Sequence, residues 1–99
     1  MRFLKYISES EKEFWEGIYD SEADHWTEKE VSRLTKLAVK KYGDFKNVLE
    51  IGCAAGIDTF YLAEHAENVI GIDIVEDVIS IANKNLKKQP EKIRNKVKF

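Results

Sequence analysis

The chain has 99 residues, 43% of them hydrophobic and 34% charged, with a net charge of −2, which fits one globular domain with a modest core. No apolar run approaches the roughly 20 residues of a membrane span, and the N-terminus "MRFLKYISESEKEF" lacks the apolar centre of a secretory signal. A cytoplasmic protein with no membrane partner is expected, and a single cysteine (Cys53) with only two histidines offers neither a disulfide nor a zinc-type spacing.

The first 43 residues read as a helical segment. "SESEKEFWEGIY" opens with capping-box patterns at Ser8 to Glu11 and Ser10 to Glu13, then places Phe14, Trp15, Ile18 and Tyr19 at helical spacing. "DSEADH" ends that helix. Thr27 and Glu30 form another capping box, after which Val31, Leu34, Leu37 and Ala38 make one apolar stripe up to Gly43.

Residues 44–99 change character. "NVLEI" (47–51) is predicted as a short strand, apolar on both faces as in a buried parallel sheet. "DTFYLAEHA" (58–66) follows as a helix and "NVIGIDI" (68–74) as a second strand. Val78, Ile79, Ala82 and Leu86 define another amphipathic helix that ends before Pro90, and "KVKF" opens a third strand. The result is an α/β, Rossmann-like parallel sheet with flanking helices and strand order 3-2-1. Stretch 84–98 carries seven bases against one acid, whereas 1–30 carries nine acids against four bases. A nucleic-acid surface is one reading of the basic stretch, but a solvated helix face and loop is favoured because no aromatic residue interleaves with its lysines.

The informative stretch is "VLEIGCAAGIDTF" (48–60). A strand that passes through a tight turn into a helix directs the first backbone N–H groups of that helix towards the crevice above the sheet. Small residues at Gly52, Ala54 and Gly56 let a ligand approach the backbone. Asp73, 21 residues after Gly52, stands where a carboxylate accepts hydrogen bonds from ribose hydroxyls. The dinucleotide pattern G-x-G-x-x-G fails at Ala54 and Ile57, and an acid at Glu50 is an awkward neighbour for an anionic pyrophosphate. S-adenosylmethionine carries an ammonium and a sulfonium and no phosphate, so for that cofactor Glu50 is an asset.

"VLEIGCAAG" with "GIDI" resembles the class I S-adenosylmethionine-dependent methyltransferases, whose first motif is an acid followed by G-x-G-x-G and whose second strand ends in an acid. The resemblance implies that Glu50 orients the methionine end, that Gly52, Cys53, Ala54 and Gly56 form the turn, that Asp73 holds the ribose and that Ile74 flanks the adenine. Ala54 departs from the usual middle glycine. The family also tends to place an N-terminal helical segment over the cofactor, which makes Tyr19 and Trp26 lid candidates beside the plainer reading of aromatic core packing. Asp58 is read as a helix-start acid within reach of the cofactor's amino acid end, and His25 and His65 as surface residues. Cys53 is not read as a nucleophile, since no base lies near it in sequence and its small size accounts for it. No catalytic residue is assigned. The family's acceptor-binding residues follow the third strand, so the chain is expected to be the cofactor-binding N-terminal portion of an enzyme of about 200 residues or more. It is expected to be inactive alone and to self-associate or pair with the missing half; a non-catalytic binding module and an NAD-dependent enzyme remain the alternatives.

Overall fold

Apolar residues at positions 45, 48, 49 and 51 form the first strand of a computed structural model that describes residues 12–17 and 30–99. Residues 12–17 are helical and hold the Phe14 and Trp15 rings edge to face, with centroids 5.4 Å apart. Ser8, Ser10, Ile18, Tyr19, His25, Trp26 and Thr27 lie outside the described residues. From Glu30 onwards the elements are α1 (Arg33–Tyr42), β1 (Phe45–Ile51), α2 (Ile57–Ala63), β2 (Ala66–Ile72), α3 (Glu76–Lys87), the single turn α4 (Glu91–Arg94) and β3 (Val97–Lys98).

The three strands are parallel in the order β1-β2-β3, with Leu49 opposite Ile70, Glu50 opposite Gly71 and Val69 opposite Val97. This is the expected α/β arrangement, shifted at its edges. β2 ends at Ile72 rather than Ile74, and Ala66 belongs to the strand rather than to the preceding helix. The one-turn α4, entered through Pro90, was not anticipated; proline suits that place because its fixed φ precedes a helix without needing an N–H. Two bases of the basic stretch serve structure: Lys96 donates to the Ala63 carbonyl at 3.1 Å, at the end of α2, and Arg94 to the Gln89 carbonyl at 2.7 Å.

The core lies on one face of the sheet, where Phe60, Leu62 and Ala63 of α2 pack with Val69, Val97, Ile93 and Val39. The opposite face is only partly covered among the described residues: Ile72, opposite Ile51, is buried there. Leu49, Ile51 and Ile70 share it and are 53%, 57% and 43% exposed, which departs from the strand buried on both sides that the sequence suggests. α1 departs as well. It starts at Ser32, whose side chain accepts the Thr35 N–H at 3.2 Å, and it buries Val39 while leaving Leu34 and Leu37 exposed. The covered stripe is Val31, Thr35, Ala38 and Val39, rotated from the expected one because Thr35 is held against α2.

Candidate cofactor site

At the C-terminal end of β1 the chain turns sharply through residues 52–56 into α2. Gly52 and Gly56 take φ of +78° and +94°, and Ala54 takes +49°, the left-handed region that a Cβ disfavours. Four amides of this turn are bonded within the protein. Gly52 and Cys53 donate to the Ile72 carbonyl at 2.8 and 2.9 Å, Gly56 donates to the Cys53 carbonyl at 3.1 Å, and Ala54 donates to Asp73 Oδ2 at 3.0 Å. Asp73 Oδ1 accepts the Val75 N–H at 3.0 Å, so one carboxylate ties the turn to the start of α3.

A cavity of about 420 Å³ opens over the turn, lined by Glu50, Gly52, Cys53, Ala54 and Asp58 together with Glu30 from the segment before α1. That volume falls within the range of small-molecule sites. Among the described residues no lysine, arginine or histidine lines it. A Cβ added at Gly52 would meet nothing within 4 Å, so the wall at Gly52 borders open space. The structure brings together Glu50, Gly52, Cys53 and Ala54 of the residues singled out from sequence. Asp73 braces the turn without lining this cavity, and Ile74 packs with Ala55, Val75 and Val78. Gly56 faces inward: a Cβ there would stand 2.8 Å from the Phe99 ring and 3.0 Å from that of Phe60. At Gly71 the same Phe99 ring and Cys53 Cβ would lie 2.9 and 3.0 Å away, so this glycine admits packing beneath the turn.

Three residues make contacts at the site that the sequence did not show. Thr59, fully buried on α2, donates its hydroxyl to Glu50 Oε1. Asp58 accepts the Ser32 N–H at 2.8 Å and the Thr35 hydroxyl at 2.9 Å, which fastens the N-terminus of α1 beside the cavity instead of leaving the acid as a simple helix-start residue. Phe99 supports the turn from below, edge to face with Phe60 at 5.9 Å. His65 lies against Tyr61, away from the cavity.

Burial pushes the Glu50 carboxyl up to about 7; the Thr59 hydroxyl opposes this, and the nearby Asp58 and Asp73 add to it. Burial, followed by the charges of Glu50 and Asp73, pushes the Cys53 thiol up to about 12. A thiol held there is protonated at neutral pH, which agrees with denying it a nucleophilic role. Among the described residues no group of three His, Cys, Asp or Glu side chains is placed to hold a metal ion, and no helix is long and apolar enough to cross a membrane.

Comparison with known proteins finds methyltransferases. A ubiquinone biosynthesis O-methyltransferase from Hydrogenovibrio crunogenus is 49% identical over 37 residues, which cover 37% of this chain and 15% of that protein. Two crystal structures of a bacterial Hen1 methyltransferase domain, CtHen1-C and CtHen1-CN, superpose with TM-scores of 0.52 and 0.53 at 19% and 22% identity. Each superposition covers 66% of this chain, and the chain spans 34% and 35% of those two domains. At such identities they show the fold alone. The family model of the methyltransferase domain matches residues 43–99, which include the turn, both acids and all three strands, and the chain therefore belongs to the class I S-adenosylmethionine-dependent methyltransferases.

Proposed function

We propose that this chain supplies the S-adenosylmethionine-binding wall of a cytoplasmic methyltransferase that acts on an acceptor still to be identified. The observation that carries the reading is the character of the turn. Its Gly52, Cys53, Ala54 and Gly56 amides are bonded internally, while the cavity above it is lined by the acids Glu30, Glu50 and Asp58. A pyrophosphate would face these acids, so NAD is disfavoured. A ligand that presents an ammonium and a sulfonium finds the opposite.

In this reading Glu50 orients the ammonium, Gly52, Cys53 and Ala54 bound the ligand, and Gly56 gives the turn its shape. Asp73, held at the turn by its bonds from Ala54 and Val75, accepts from the ribose hydroxyls, with Ile74 beside the adenine. When bound, S-adenosylmethionine supplies a methyl carbon activated by its sulfonium. The residues of this chain contribute position, which supplies much of the rate of such a displacement when the acceptor is held in line. The chain spans about a third of the Hen1 domains on which it superposes, and in this reading these 99 residues alone bind cofactor without transferring the methyl group.

Calorimetry on the intact protein tests the reading: S-adenosylhomocysteine should bind and NAD should not. Equal or tighter binding of NAD would overturn it. A single-turnover assay with labelled cofactor separates a transferase from a binding module.

A further inference from the structure

Glu50 enters the cavity from the end of β1, and from behind it is met by Thr59. The groups around it are acidic or neutral among the described residues. Asp58 neighbours Thr59 on α2, Asp73 braces the turn from beyond β2, the Cys53 thiol belongs to the turn, and Glu30 lines the same cavity from before α1. Among the described residues no cationic side chain lines the cavity to balance them.

A hydroxyl is an unusual choice of support for a carboxyl group in such surroundings. A lysine or a backbone N–H favours the carboxylate alone. A hydroxyl carries one donor and two acceptor lone pairs, so it donates to a carboxylate and accepts from a carboxylic acid. Thr59 is fully buried, so the packing around it and its bond to Glu50 hold that hydroxyl in place.

We propose that Thr59 is a positioning residue that holds Glu50 in one place in both of its protonation states, so that a cationic ligand end binds by converting Glu50 from acid to carboxylate with release of a proton. The inference rests on the S-adenosylmethionine reading and deepens it. The balance is simple: the Glu50 O–H bond breaks, its electron pair stays on the carboxylate that faces the ammonium, and the proton passes to solvent. Nothing is oxidised or reduced. With the Glu50 carboxyl pushed up to about 7, both forms are populated at neutral pH, as such an exchange requires.

The test is calorimetry on the intact protein with two probes: S-adenosylhomocysteine, which keeps the amino acid end, and 5′-methylthioadenosine, which lacks it. Affinity for S-adenosylhomocysteine should fall about tenfold from pH 8 to pH 6, whereas that for methylthioadenosine should stay level. Titration at pH 7 in two buffers of different ionisation enthalpy should report about half a proton released with the first probe and none with the second. Thr59→Val should weaken S-adenosylhomocysteine binding roughly tenfold at pH 8 and move the pH midpoint upwards, and Thr59→Ser should restore both.

Normal S-adenosylhomocysteine binding with no proton released overturns the inference and leaves the cofactor reading intact, as does an unchanged pH profile in Thr59→Val. Failure of the wild-type protein to bind either probe overturns both. Should Thr59→Val not fold, the two-buffer measurement on wild type and the Thr59→Ser profile still decide.

Discussion

Asp73 Oδ2 lies 3.0 Å from the backbone nitrogen of Ala54, so the acid beyond the second strand fastens the turn that follows the first. Ala54 is also the turn residue whose Cβ opposes its own backbone, at φ +49°. A left-handed residue with a Cβ costs about 1–2 kcal/mol, and the bond from Asp73 offsets that strain. Ala54→Gly should therefore stabilise the fold by up to about 1 kcal/mol, since relief of strain exceeds the added freedom of the unfolded chain. Urea denaturation measures it, and a destabilised glycine variant would show that the turn is unstrained.

The pH dependence of stability follows from Glu50. A carboxyl pushed up from 4.5 to about 7 binds more protons folded than unfolded between those values, so stability falls as pH rises through that window. Above it the ionised, partly buried group destabilises the ligand-free fold. Glu50→Gln should flatten the profile and be more stable than wild type at pH 8 by about 2 kcal/mol, a figure discounted for partial exposure. The same variant should lose affinity for a cationic ligand end. Thermal melts at pH 5 and pH 8 with parallel slopes in both proteins would contradict this.

Asp58 ties α1 to the site through Ser32 and Thr35. Asp58→Ala leaves both donors without that acceptor and should lower stability by about 1–2 kcal/mol. Hydrogen exchange should quicken along α1 and leave the amides of β1 and β2 protected. Uniform loss of protection would mean that the acid supports the whole domain.

Cys53 is 4% exposed, with its thiol pushed up to about 12. Native protein at pH 8 should react with iodoacetamide far more slowly than unfolded protein, and the rate should track global unfolding. Alkylation at the rate of a free thiol would refute the burial.

The local patterns legible in the sequence were those with short-range causes. "NVLEI", "NVIGI" and the stripe through Val78 and Ala82 follow the periods of strand and helix, and the Glu50, Gly52 and Asp73 spacing follows from one strand-helix-strand unit. What escaped depends on contacts between elements. Periodicity shows that α1 has an apolar stripe but not which face is covered, and the grip of Asp58 on Thr35 turns Leu34 outwards. Asp58 already had a sufficient local explanation as a helix-start acid, which hid its tertiary role. Thr59 resembles any helical threonine until β1 is placed beneath it.

The ring of Phe99 beneath Gly56 and Gly71 also bears on the order of folding. Positions 56 and 99 are far apart in sequence, so the turn gains its underside only after a long loop has closed and the third strand has docked. A nascent chain that has emerged only as far as α3 would hold both acids of the site and both flanking strands, yet its turn would rest on empty space. The turn should therefore take its final form late, in step with β3. Pulse-labelled hydrogen exchange during refolding tests this: the Cys53 and Gly56 amides should gain protection together with Val97, and earlier protection of the turn would show that it forms without its floor.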